Sequence, residues 1–184
     1  PITGLAQASA RPAHFIGLHF FSPVDKMPLV EIIVGEKTSD ETLARGFDYV
    51  LQIGKTPIVV NDSRGFYTSR VFGTYVMEGI AMLREGVHPR SIEVAGLQAG
   101  MPMPPLALQD EVSLSLSLHI AEQTRKDLEA EGKPVPVHPA HAVLVNVGAT
   151  HGRVGKKAGQ GFYDYRGKDK RLWPALTTLY PPRD

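Results

Sequence analysis

Gly17-Leu18-His19-Phe20-Phe21-Ser22-Pro23-Val24, continued by Met27-Pro28-Leu29-Val30-Glu31-Ile32-Ile33, is the stretch on which the reading of this chain turns. It contains two short runs of aromatic and branched residues, bounded by Gly and Pro, which is the pattern of buried strands. His19 lies on the first run and Glu31, twelve residues on, lies on the second. A carboxylate beside an imidazole fixes the ring's tautomer and stabilises the charged form when the ring takes a proton, so the two can make a general base. The same spacing also suits a structural histidine at a strand end with an unrelated exposed glutamate.

Working outward, Phe15–Phe21 and Val30–Val34 read as strands, and Thr38-Ser39-Asp40-Glu41 opens a helix with Ser39 or Asp40 as its cap. Leu43, Phe47, Val50 and Leu51 share one helical face, Gly54 stops the helix, and Thr56–Asn61 is a further apolar strand. These strands are apolar on both faces, as in a sheet covered on both sides, yet the elements present are too few to cover it. After Asp62 the pattern turns helical. Phe72, Tyr75, Val76, Ile80 and Leu83 form an apolar stripe ended by Gly86, and His88-Pro89 begins a shorter helix. Val112–His119 alternates like a strand, but the helix formers from Ile120 to Glu131 predict a helix from about Ser115 to Gly132. Lys133–Pro139 is a loop, Ala140–Thr150 a last core helix, Gly152–Gly161 a loop, and Leu172–Tyr180 a short terminal helix. The expected fold is mainly α with a partial α/β element, divided into residues 1–62 and 63–184.

The bulk composition narrows the class. With 42% hydrophobic and 21% charged residues in 184, the chain is globular, with room for one domain or a small pair. The net charge of +1 gives no general drive toward nucleic acid or a membrane surface. Residues 153–171 carry seven basic groups against Asp164 and Asp169, so that stretch is +5 and the remainder about −4. Without interleaved aromatics or a binding motif the basic stretch reads as solvated surface rather than a nucleic-acid site. No cysteine is present, so disulfides and thiolate chemistry are excluded. No apolar run reaches the length of a transmembrane segment and no signal peptide opens the chain, so a soluble, cytoplasmic protein is expected. The remaining histidines, 88, 119, 138, 141 and 151, form no convincing ligand set, and no metal site is expected.

Four blocks in order carry a resemblance. They are His14–Val24 with Met27–Ile33, then Gly54–Asp62 running into Gly65-Phe66 and Ser69-Arg70, then Gly100–Pro105 with Asp110, and last Lys157–Tyr165. Together they resemble the 3-hydroxyacyl-CoA dehydrogenases over nearly the whole chain. The resemblance implies the last strands of a Rossmann-type NAD-binding domain followed by a helical C-terminal domain. It further implies an enzyme of fatty-acid β-oxidation that converts a 3-hydroxyacyl-CoA to the 3-ketoacyl-CoA, hydride passing to NAD while His19 takes the hydroxyl proton and Glu31 orients it. Ser69 stands where the family usually has Asn; it keeps a donor and an acceptor but is shorter, and reaches a substrate carbonyl only through a water. Ser22 likewise replaces an Asn next to cofactor and substrate. The glycines at 100, 159 and 161 read as backbone devices.

No Gly-x-Gly-x-x-Gly fingerprint follows a strand, so the pyrophosphate cradle is not encoded here and the chain reads as the C-terminal portion of a longer one, inactive alone. The run from Gly167 to Pro182 resembles the linker of the family's multifunctional members, the fatty-acid oxidation α-subunits, in which an enoyl-CoA hydratase domain precedes the dehydrogenase. That implies a homo-oligomer, with a thiolase subunit as partner of the complex. The competing readings are a single-function 3-hydroxybutyryl-CoA dehydrogenase and a non-catalytic helical dimerisation module.

Overall fold

In a computed structural model describing residues 1–183, β2 (Leu29–Val34) is the middle strand of a three-stranded sheet. It runs antiparallel to β1 (Gly17–Phe20) on one side and parallel to β3 (Thr56–Asn61) on the other. The alternation of strand side chains then sorts the residues. Val30 and Ile32 point to one face, where they form a core with Val50 of helix α2 (Asp40–Gln52) and with Ile16, Leu18, Phe20 and Leu43. His19 and Glu31 are directly opposite in register and therefore share the other face.

The connection from β2 to the parallel strand β3 passes through α2, as a parallel pairing demands. Ser39 caps that helix, its hydroxyl accepting from the Thr42 amide at 3.3 Å, and Asp40 and Glu41 complement the dipole in the first turn. The expected four-residue apolar face of α2 is only half used: Val50 is buried and Leu43 packs on the core, but Phe47 and Leu51 are 38% and 52% exposed. The periodicity marked which residues share a side, and the three strands reach only part of it. A short helix, α1 (Ile2–Ala6), is held by Asp62, whose carboxylate accepts from the Ile2 and Thr3 amides at 2.8 and 2.7 Å.

These elements form one unit, Pro1–Phe72, and the chain from Gly73 on forms a second. Helix α3 (Thr68–Arg84) starts in the first and continues into the second. The second unit holds α4 (Pro89–Gln98), α5 (Pro105–Val112), α6 (Leu114–Ala130) and α7 (Pro139–Leu144), whose core includes Val76, Ile80, Leu83, Ile92, Leu106 and Leu114. The alternating segment around residue 114 is helical, because Ser113 at φ +83° turns the chain and caps α6. The last core helix departs from the expectation: after Leu144 it widens into a π-helical turn over Val145–Thr150.

A second departure is larger. Residues 163–172, for which no strand was expected and whose second half reads as a linker, form a hairpin, β4 (Tyr163–Arg166) and β5 (Asp169–Leu172), before a four-residue helix α8 (Leu176–Leu179). Six of the eight residues in Asp164–Arg171 are charged, so no apolar run announces a strand. Buried groups outside the hairpin hold it instead. Asp110 accepts from the Phe162 and Tyr163 amides at 2.7 and 2.9 Å, and Arg153 donates to the Gly161 and Tyr163 carbonyls while stacking on Trp173. Gly161 packs on the Asp110 carboxylate where a Cβ would overlap it, which accounts for one of the three backbone glycines; Gly100 and Gly159 have positive φ.

Candidate active site

The antiparallel register that places His19 opposite Glu31 brings their side chains into contact: Nδ1 of His19 lies 2.6 Å from Oε2 of Glu31. An ionised carboxylate can only accept, so Nδ1 carries the proton and donates. In the neutral ring the lone pair is then on Nε2. The two partners differ in exposure, with the His19 side chain 37% exposed and Glu31 fully buried. The dyad therefore has a dry orienting end and an accessible basic end.

Burying a carboxylate pushes its pKa up, yet that of Glu31 is held below the ordinary value. The donors around it outweigh the burial: the Thr68 amide, the His19 ring and the Tyr67 amide. Tyr67 N and Thr68 N both donate to Oε1, at 3.0 and 2.8 Å. They belong to the opening of α3, so its N-terminal dipole also favours the charge. One oxygen of Glu31 thus belongs to the helix and the other to the imidazole.

The turn that delivers those amides is unusual. Gly65 and Phe66 are both left-handed, at φ +73° and +43°, and for an aromatic residue that conformation costs about 1–2 kcal/mol. It brings the Phe66 ring to 5.9 Å from the His19 ring, while Phe21 lies on the imidazole at 4.7 Å. Two aromatic rings thus restrict how the base can turn.

Of the four residues expected in the site, the structure joins two. Ser69 is exposed in the first turn of α3, and the bonds to Glu31 come from its neighbours Tyr67 and Thr68. Ser22 is exposed in the β1–β2 loop, at the cis peptide bond to Pro23. That loop is tied down by Lys55, whose Nζ donates to the Val24 and Met27 carbonyls at 2.6 and 2.8 Å. Inspection of the sequence missed the Tyr67 and Thr68 amides, for which no side-chain signal exists; Gly65 was the nearest visible sign of a turn. Nor does the sequence announce the Phe21–His19–Phe66 contact, although Phe21 stands two positions from His19.

Neither strand-to-helix turn of this unit fits a pyrophosphate. The first turn of α2 is capped by Ser39 and carries Asp40 and Glu41, and the opening amides of α3 are taken by Glu31. Among the described residues no group of three His, Cys, Asp or Glu side chains could hold a metal ion, and no helix is long and apolar enough to cross a membrane.

Residues 1–63 match the family model described as 3-hydroxyacyl-CoA dehydrogenase, NAD binding domain, and residues 65–165 match the model for the C-terminal domain of the same family. Similar curated proteins include the fatty acid oxidation complex subunit alpha of Shewanella halifaxensis, 41% identical over 92% of this chain, and that of Vibrio vulnificus, 41% identical over 94%. The chain spans 23% of each of those two relatives. Among solved structures, (S)-3-hydroxybutyryl-CoA dehydrogenase PaaH1 from Ralstonia eutropha superposes with a TM-score of 0.78 at 34% identity, covering 90% of this chain and 57% of that one. The 3-hydroxybutyryl-CoA dehydrogenase of Escherichia coli K12 also gives 0.78, at 30% identity, covering 93% and 36%.

Proposed function

This chain belongs to the 3-hydroxyacyl-CoA dehydrogenase family, and on that premise we propose that its first unit carries the proton-transfer machinery of that reaction. His19 accepts the proton of the 3-hydroxyl through Nε2 as a 3-hydroxyacyl-CoA is oxidised, and returns it to the 3-keto oxygen in the reverse direction. Glu31 holds the ring in the tautomer that leaves Nε2 basic and stabilises the imidazolium that follows. The observation that carries this reading is the 2.6 Å contact from Nδ1 to a buried carboxylate.

The cofactor of the family is NAD, and residues 1–63 match its binding-domain model. The residues described here do not make a pyrophosphate site, so the part assigned to them is the proton. Ser22, exposed just past β1, and Ser69, exposed in the first turn of α3, are proposed as polar contacts, Ser22 toward cofactor and substrate and Ser69 toward a substrate carbonyl through a water. Residues 1–62 then act as the end of the cofactor domain and residues 63–184 as the helical C-terminal domain.

The curated relatives are named as subunits of a fatty acid oxidation complex, which supports a role in fatty-acid oxidation; a cytoplasmic homo-oligomer with a thiolase partner is proposed beside it on the sequence resemblance alone. A single-function 3-hydroxybutyryl-CoA dehydrogenase is the second reading, favoured by the superposition on two enzymes of that name. The test is reduction of acetoacetyl-CoA and of longer 3-ketoacyl-CoAs by the full-length protein with NADH. His19→Ala should lower turnover by about two to four orders of magnitude. Turnover within threefold of the parent would remove His19 from the mechanism, and a strict preference for the four-carbon substrate would favour the second reading.

A further inference from the structure

The loop that leaves the strand of His19 has no core beneath it. The β1–β2 ladder closes at Phe20 opposite Val30, and every residue from Ser22 to Pro28 is exposed, Val24 at 51% and Met27 at 37% among them. Packing therefore does little to fix the course of this loop, and hydrogen bonds must do so. Within it the Pro23 carbonyl accepts from the Lys26 and Met27 amides, both at 3.0 Å, which closes a turn without tying that turn to the sheet. A tie to the sheet comes from Lys55, whose Nζ donates to the Val24 carbonyl at 2.6 Å and to the Met27 carbonyl at 2.8 Å.

The backbone under that ammonium is itself held on both sides. Lys55 stands between Gly54, which ends α2 at φ +72°, and Thr56, the first residue of β3. Its amide donates to the Val50 carbonyl at 3.1 Å, and the next amide, that of Thr56, donates to the Pro28 carbonyl at 2.8 Å. The root of the side chain thus belongs to the β2–β3 pairing, while its head spans the loop from Val24 to Met27. A lysine head carries three donors on a long stem, so a single side chain takes both carbonyls, and the charge strengthens both bonds.

We propose that Lys55 is a positioning residue for the base, fixing the β1–β2 loop so that Phe21, its first residue, stays against the His19 ring. The proposal rests on the His19–Glu31 reading. Glu31 holds the imidazole at Nδ1 alone, and a ring held by one hydrogen bond can still swing about it. The Phe21 ring at 4.7 Å limits that swing and keeps Nε2 aimed. Phe21 is three positions before Val24, so a loop released at Val24 and Met27 lets the aromatic ring drift from the imidazole. Misplacing a reacting group by about 1 Å can cost on the order of a hundredfold in rate, and a loosened loop imposes part of that loss.

The experiment compares Lys55→Met, which keeps the stem and removes the donors, with Lys55→Arg, which keeps charge and donors. In the full-length protein Lys55→Met should lower kcat for 3-ketoacyl-CoA reduction by NADH about tenfold, while KM for the 3-ketoacyl-CoA changes by less than about twofold. Lys55→Arg should recover about half of the parent kcat or more. In the full chain labelled with 13C at histidine, the Cε1–H signal of His19, displaced by the ring current of Phe21, should move toward the free-histidine position in Lys55→Met and stay near the parent in Lys55→Arg. Should the methionine variant not fold, Lys55→Gln, which shortens the reach and keeps a polar side chain, reads the same two quantities. A parental kcat in the variant lacking the ammonium, whatever its unfolding midpoint, would make the tie merely structural and overturn the proposal. An unmoved His19 signal would overturn it as well, as would an arginine variant as slow as the methionine one. His19→Ala judges the base separately: undiminished turnover there, beside a His19 signal that responds to Lys55→Met, would discard the base and keep the loop tie.

Discussion

Replacing Glu31 with Gln should stop proton transfer without unfolding the protein, and the geometry says why. The two oxygens of Glu31 are not equivalent, since Oε1 accepts from Tyr67 N at 3.0 Å and Thr68 N at 2.8 Å while Oε2 meets His19 Nδ1 at 2.6 Å. A glutamine amide has one acceptor oxygen, and two backbone donors at one position compel that oxygen to sit there. The NH₂ group must then face His19. It donates to Nδ1, so Nδ1 becomes an acceptor and the ring proton moves to Nε2, the atom proposed to receive the substrate proton. The variant thus sets the wrong tautomer as well as removing the charge. The corresponding aspartate-to-asparagine change in Ser-His-Asp triads costs about 10⁴ in kcat by the same route. For Glu31→Gln a loss of about 10³ to 10⁴ in kcat follows, roughly 4–5.5 kcal/mol of barrier at 1.36 kcal/mol per tenfold. Stability should suffer less. The amide bonds survive in neutral form, and the expected cost of about 1–3 kcal/mol is a fraction of the 5–15 kcal/mol typical of folded domains. The assays are 3-ketoacyl-CoA reduction by the full-length protein and two-bond 15N–1H spectra that report which imidazole nitrogen carries the proton. Loss of less than tenfold in turnover, or a ring still protonated on Nδ1, would refute the tautomer argument.

Asp110 sets the pH dependence of the second unit: burial raises its pKa from 3.8 to about 6 despite the Phe162 and Tyr163 amides, the Tyr165 hydroxyl and Arg153. A folded pKa above the unfolded one contributes stability that is complete below 3.8 and lost as pH rises through about 6, on the order of 3 kcal/mol. Urea unfolding of the second unit should therefore weaken across that window. Asp110→Asn should remove most of the slope, with Glu93, also raised by burial, leaving the rest in the same direction; an unchanged slope would contradict this. For the cofactor, calorimetric titration of the 184-residue chain with NADH should give no saturable binding, because the first turn of α2 is acidic and the opening amides of α3 are occupied. Micromolar binding would show that a phosphate site exists which these turns do not explain.

How much of this was legible in the sequence depended on whether the signal was carried by side chains or by backbone. Ser39, Gly54 and Gly86 marked helix ends and were found where expected, since a cap or a positive φ needs a particular residue type. The three strands of the first unit were visible because their residues are apolar and bounded by Gly and Pro. The β4–β5 hairpin was not, because what holds it lies elsewhere in the chain, in Asp110 and Arg153, and its own residues are mostly charged. A periodicity argument sees only local pattern. It cannot see a strand fixed by a carboxylate more than fifty positions away.

The site divides along the same line. His19 and Glu31 could be paired from their spacing and from the resemblance, since an antiparallel register opposes two residues at some fixed separation in sequence. What holds the carboxylate of that pair in place is the opening of α3, whose two amides donate to it from thirty-six and thirty-seven positions on. A left-handed Phe66 is tolerated there because the turn it makes aims those amides at a buried charge. The cost of that turn is local and the gain is at Glu31. The carboxylate that orients His19 is therefore held partly by the opening of a helix, and substitutions at residues 65–68 should act on Glu31 before they act on substrate binding.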